Sequence, residues 1–134
     1  MIDPKFIGIP YIKGGREISK DGGLDCYGLV RKWYSDQYGI ILPEYRLIHS
    51  TGTSLNTTEK PQDISQDFDE TDKPVLGDLI LFNILGNPMH IAVYIDKNTM
   101  LHTFKTGGSV LERFTNLKWS RRLESFYRYS GDNK

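Results

Sequence analysis

The 134-residue chain has a single cysteine, Cys26, so an intramolecular disulfide and a four-cysteine zinc site are both excluded. It has no net charge, because 17 Lys and Arg balance 17 Asp and Glu. Without a positive surplus, a dedicated nucleic-acid or anionic-membrane binder is not expected. No apolar run approaches the roughly 20 residues that a membrane-spanning helix needs, so membrane insertion is not expected either. The opening residues Met1-Ile2-Asp3-Pro4-Lys5-Phe6 carry neither the basic head nor the apolar stretch of a secretory signal. The expectation is a protein made in a cytosol that stays there unless something carries it out. Internal repeats and low-complexity tracts are absent as well.

Hydrophobic residues make up 38% and charged residues 25%, the mix of a soluble globular protein, and the length suits one domain over residues 1–134. Residues 1–25 are Gly-rich and irregular, punctuated by Gly14-Gly15 and Gly22-Gly23. Asp25 then makes a good N-cap, Leu29, Val30, Trp33 and Tyr34 recur at helical spacing, and Gly39 supplies a stop. This predicts a helix with Cys26 at its first position. Residues 44–74 form a long polar connection, the kind that serves as a flap, a groove edge or a partner contact. Strand-like runs follow at Leu79–Phe82, His90–Ile95, Thr99–Phe104 and Phe126–Tyr129. The fold class is α+β, with one N-terminal helix followed by an antiparallel sheet.

A lone cysteine is a buried small hydrophobe, a reactive thiol or a metal ligand. At a helix N-terminus its thiolate is favoured by the helix dipole and by unpaired N–H groups, which also suit an oxyanion forming beside the sulfur. The adjacent Asp25 acts in the opposite direction. A thiol nucleophile needs a base, normally a histidine held by a third group. His90 opens one strand and His102 lies in the next, with Asp96-Lys97-Asn98 between them. If those three residues form the loop, Ile95 faces Thr99 and Ala92 faces His102. The two histidines then share a face as diagonal neighbours, about 7–8 Å apart at the backbone. A two-residue loop would put them on opposite faces. A strand histidine is ordinarily a satisfied polar group, and His49 reads as a surface residue. Cys26, His90 and His102 also compose a three-ligand zinc set, but no carboxylate stands at ligand spacing from either histidine. Asp67-x-Asp69 lacks the glycine and the terminal glutamate of a calcium loop. No metal and no cofactor are expected.

At this point the residues match a known pattern. Pro10-Tyr11-Ile12-Lys13-Gly14-Gly15 followed by Leu24-Asp25-Cys26-Tyr27-Gly28-Leu29-Val30 resembles the signature of the NlpC-type cell-wall cysteine peptidases. Gly77-Asp78-Leu79-Ile80-Leu81-Phe82 looks like the family's Gly-Asp strand. His90–Ile95 and Leu101-His102 look like its two histidine strands, in the family's order. The branch found in phage tails and phage-like particles is similar at Tyr27, at Val30-Arg31-Lys32-Trp33-Tyr34, at Tyr38–Pro43, and from Trp119-Ser120-Arg121-Arg122 to Phe126-Tyr127-Arg128. Many relatives have Trp where Lys13 stands, Ser where Tyr27 stands, and Pro-Gly-Asp where this chain reads Leu76-Gly77-Asp78.

The resemblance implies a papain-like fold that cleaves amide bonds in peptidoglycan stem peptides. Cys26 would be the nucleophile, His90 the general base, and His102 the orienting third member in the place papain gives to Asn. Tyr11 would match the tyrosine whose hydroxyl joins the Cys26 backbone N–H in the oxyanion hole. The expected partners are the stem peptide as substrate and other phage tail proteins. The expected location is the host cytoplasm during assembly and then the virion tail. Two other readings use the same scaffold: a tail structural or assembly module that no longer turns over, and an intracellular amidase or acyltransferase.

Overall fold

A computed structural model describes residues 2–18, 22–44, 64–84, 87–103 and 107–131. His49, Phe104 and residues 45–63 of the polar connection lie outside the described residues.

The predicted helix, α1, runs from Cys26 to Tyr38. The Asp25 carboxylate accepts the Gly28 N–H and caps its start, and Gly39 closes it in the left-handed conformation at φ 67°. Two short strands precede it, β1 (Arg16–Glu17) and β2 (Gly23–Leu24), paired antiparallel. Their glycines permit close approach: a Cβ on Gly15 would lie 2.2 Å from the Gly23 carbonyl oxygen, and one on Gly28 2.3 Å from that of Gly15. The double glycines therefore seat this small ribbon against the first turn of α1.

Six antiparallel strands make the main sheet: β3 (Phe68–Thr71), β4 (Leu79–Ile84), β5 (Asn87–Tyr94), β6 (Thr99–Thr103), β7 (Ser109–Arg113) and β8 (Leu123–Tyr129). Their spatial order is β3-β8-β4-β5-β6-β7. A four-residue helix, α2 (Leu117–Ser120), joins β7 to β8. The α+β expectation and its four strand runs are met, with β5 beginning three residues before His90. Five elements were not expected, two of them, β1 and β2, inside the stretch 1–25 that reads as irregular. β3 emerges from the connection after a 3-10 turn at Ile64–Gln66, and β7 and α2 follow β6. The N-terminal segment is ordered too, through a 3-10 turn at Pro4–Phe6.

Strand alternation divides the apolar interior in two. Leu79, Leu81, Ile91, Val93 and Leu101 pack with Cys26, Leu29, Val30 and Trp33 on the α1 side. Ile80, Phe82, Ala92 and Met100 gather on the other side with Phe114 and Trp119.

Val93 pairs with Leu101 and Tyr94 with Met100, which sets Ile95 opposite Thr99 and leaves Asp96, Lys97 and Asn98 as a three-residue loop. The Ile95 N–H donates to the Thr99 carbonyl at 3.0 Å. The β5–β6 ladder stops at the Val93–Leu101 pair, although β6 continues against β7 as far as Thr103. The two strands part at the level of His102.

Candidate active site

α1 delivers Cys26 to this parting. Tyr94 donates its N–H toward β4, to the Asp78 carbonyl at 2.7 Å. By alternation the Ile91 N–H points to the β6 side, where the ladder has opened. The Ile91 and Tyr27 N–H groups both favour the anion of the Cys26 sulfur. The nucleophile candidate thus lies near the residue that follows His90.

The thiol does not rest as an anion. Burial and the neighbouring Asp25 carboxylate push it up to about 12, against the opposing pull of the Ile91 N–H, Arg16 and the Tyr27 N–H. The favourable helix N-terminus is outweighed because Cys26 is only 3% exposed. Asp25 is itself engaged: Arg16 Nη1 lies 2.5 Å from its Oδ1, while Arg16 Nε and Nη2 grip both Glu44 oxygens at 2.8 and 2.9 Å. The guanidinium also lies over the Tyr27 ring at 5.3 Å, and the Tyr27 hydroxyl donates to the Pro43 carbonyl.

Tyr11 reaches the same spot through the backbone. Its neighbours are pinned to Leu24, with the Leu24 N–H donating to the Pro10 carbonyl at 2.9 Å and the Ile12 N–H to the Leu24 carbonyl at 3.4 Å. Upstream, the Ser109 hydroxyl donates to the Phe6 carbonyl and accepts the Ile9 N–H, tying residues 6–9 to β7. The Tyr11 hydroxyl is raised by burial and then by the nearness of Cys26 and Asp25.

On the opposite side of the parting, His90 Nε2 lies 2.8 Å from His102 Nδ1. The register has placed both rings on one face, as the three-residue loop requires. His102 Nε2 lies 2.7 Å from Glu112 Oε1, and Trp119 Nε1 donates to Glu112 Oε2 at 3.0 Å. The buried Trp119 indole stacks on His90 at 5.2 Å and meets His102 edge-on at 5.1 Å. Burial holds His90 well below the ordinary imidazole value, helped by His102 and Lys118. His102 is lowered by burial despite the opposing Glu112 contact. Both imidazoles rest neutral, as does the thiol. Both ring nitrogens of His102 are engaged, and no group of three potential metal ligands occurs among the described residues.

Comparison with known proteins places this arrangement. Residues 8–128 match the NlpC/P60 family. The chain belongs to the NlpC/P60 family. Among curated NlpC/P60-like relatives, a "Murein DD-endopeptidase MepS/Murein LD-carboxypeptidase" of Escherichia coli K12 is 25% identical over 115 residues, covering 86% of this chain and 53% of that protein. A "Probable endopeptidase" of Haemophilus influenzae is 30% identical over 121 residues, covering 87% of this chain and 64% of that protein. The chain thus spans between half and two thirds of these relatives. A crystal structure of a Staphylococcus aureus protein described as similar to a lipoprotein of the NLP/P60 family superposes with a TM-score of 0.64 at 25% identity, over 93% of this chain and 38% of that one. The helix on its antiparallel sheet is the papain-like core of the NlpC/P60 fold.

Four residues around this candidate site were given no role by the sequence reading: Arg16, Glu44, Glu112 and Trp119, the last noted only for its resemblance to the phage-tail branch. Glu112 lies diagonally from His102 because His102 pairs with Val110, a register that nothing in the sequence pattern of β7 announces. Trp119 sits on a four-residue helix that no periodicity reveals.

Proposed function

We propose that the protein is a cysteine peptidase that hydrolyses an amide bond in peptidoglycan stem peptides. The observation that carries this reading is the buried His90–His102 pair at 2.8 Å, with Cys26 at the start of α1 near enough for the Ile91 N–H to favour its anion. Because His90 Nε2 is engaged by His102, Nδ1 is the nitrogen that serves the thiol. The reaction starts from neutral partners. His90 Nδ1 takes the Cys26 proton as the sulfur attacks the amide carbon, and the oxyanion forms toward the Cys26 N–H and the Tyr11 hydroxyl. The C–N bond breaks as His90 returns that proton to the leaving amine. Water, deprotonated by the same nitrogen, then hydrolyses the thioester and frees Cys26.

The resemblance of Tyr27, of Val30–Tyr34 and of Trp119–Arg128 to the phage-tail branch supports a place in a phage tail or similar injection device. The stem peptide would be its substrate and other tail proteins its partners. Among the described residues no helix is long and apolar enough to cross a membrane.

The test is mass spectrometry of purified peptidoglycan incubated with wild type and with Cys26→Ala. New stem-peptide fragments are expected with wild type alone, and activity retained by Cys26→Ala would overturn the reading. A second reading, a tail module that keeps the fold without turnover, is favoured by the burial of Cys26. Absence of fragments together with an inert thiol would establish it.

A further inference from the structure

A histidine in the third position of a catalytic triad poses a problem that a carboxylate or an asparagine does not. A carboxylate only accepts, whereas a neutral imidazole donates from one nitrogen and accepts at the other, and either assignment is chemically available. The His90–His102 contact at 2.8 Å is compatible with both. In one, His90 donates from Nε2 and presents a lone pair at Nδ1. In the other, His102 donates from Nδ1, His90 accepts at Nε2, and the proton of His90 sits on Nδ1. The second arrangement cannot accept the Cys26 proton. Something beyond the triad has to choose.

We propose that Glu112 makes this choice: it is a positioning residue that fixes His102, and through it His90, as the Nε2–H tautomers, leaving His90 Nδ1 as the base. The inference rests on the peptidase reading above for its catalytic consequence, though not for its structural content. Glu112 Oε1 lies 2.7 Å from His102 Nε2, and a carboxylate there demands a proton on that nitrogen. His102 Nδ1 then carries the lone pair and draws the Nε2–H of His90.

Trp119 removes the remaining freedom. An indole nitrogen can only donate, so its 3.0 Å contact commits Oε2 and turns Oε1 toward His102. The same indole stacks on His90 and meets His102 edge-on, which holds each ring in its own orientation, the two imidazoles 74° apart. Burial raises the Glu112 carboxyl, but the hydrogen bonds from His102 and Trp119 outweigh it and keep the group below its usual range, hence ionised at neutral pH. Its side chain is 35% exposed, whereas that of His102 is 3% exposed, so this outer end of the chain meets solvent.

The experiment is long-range 1H–15N correlation of the imidazoles in 15N-labelled wild type, Glu112→Gln and Glu112→Leu near pH 8, with His49→Gln used to assign the third histidine. Peptidoglycan turnover is measured in parallel. In wild type both His90 and His102 are expected as Nε2–H. In Glu112→Leu, the signals of both are expected to shift toward Nδ1–H, and kcat is expected to fall about 10²-fold with KM little changed. That drop is smaller than the roughly 10⁴-fold seen when the residue touching a catalytic histidine imposes the wrong tautomer. Glu112→Gln keeps one carbonyl acceptor for two donors, so it is expected to lie between, recovering part of the wild-type tautomer and rate. It also serves as the test if Glu112→Leu does not fold. Nε2–H retained at both histidines in either variant would overturn the proposal, as would Nδ1–H at His90 in wild type. A tautomer shift as expected, in a wild type that cuts no peptidoglycan, would leave the positioning role standing and refute the peptidase reading instead.

Discussion

The two sides of the parted ladder are held by different kinds of force. Cys26 is fixed by backbone: a helix terminus, the Ile91 and Tyr27 N–H groups, and glycines that let three segments touch. Among the described residues its charged support is one step back, where Arg16 joins Asp25 to Glu44. The histidines are fixed by side chains, through Glu112 and Trp119, on strands whose backbones have separated. A nucleophile held by main chain tolerates change around it. A base held by a run of hydrogen-bonded side chains depends on each one.

The sharpest way to break the comparison is at the reacting atoms. Cys26→Ala and His90→Gln are each expected to reduce stem-peptide cleavage by about 10⁴-fold or more, because residues that act as a unit fail together. The double variant should be little worse than either single one. Additive losses in product formation, followed by mass spectrometry, would show that the two sides do not act on one bond.

Removing Arg16 comes next. Arg16→Leu leaves Asp25 buried without its ion pair and removes both Arg16 hydrogen bonds to Glu44, and is expected to cost about 2–4 kcal/mol in denaturant unfolding. Arg16→Lys should recover only part of this, because an ammonium cannot grip both Glu44 oxygens while reaching Asp25. Equal stability of the leucine variant would show that this charge cluster is surface decoration.

The two sides should also part company in pH. His90 and His102 are lowered in the folded state, so the unfolded chain takes up protons first, and stability is expected to fall as pH drops below about 6.5. Cys26 is raised from 9.0 to about 12, so the unfolded chain loses its thiol proton first, and stability is expected to fall as pH rises above about 9. Thermal melts should therefore show Cys26→Ala reducing the alkaline loss, the remainder coming from the raised hydroxyls of Tyr11, Tyr27 and Tyr34, and His90→Gln reducing the acid loss.

The smallest effect is on reactivity. Native Cys26 should be alkylated by iodoacetamide at neutral pH more slowly than a free thiol, with a rate that climbs with pH well past 9. Rapid labelling below pH 8 would mean that the resting thiol is more exposed and more acidic than its burial indicates.

What could be read in the chain follows the same division. The cysteine side is written in contiguous residues: Asp25 caps, Gly39 stops, and Leu29, Val30, Trp33 and Tyr34 mark the buried face. The His90–His102 pairing was accessible because Asp96-Lys97-Asn98 limits the register to two choices. Glu112 was not, since β7 shows no alternation: Val110 and Leu111 are both exposed, and the strand is held at Ser109 by residues a hundred positions earlier. α2 is hidden for a similar reason, resting on one Asn116 cap and one buried side chain, Trp119. β3 lies at the end of a polar tract whose single deeply buried strand residue, Phe68, carries no period.

The Ile91 amide carries a consequence for genetics. It belongs to every residue that could occupy position 91 except proline, so every other substitution there would report on the packing of an isoleucine and leave in place the N–H that favours the thiolate. Replacing that one peptide linkage with an ester, which deletes the N–H and leaves the side chain intact, is the change that would make this half of the site visible.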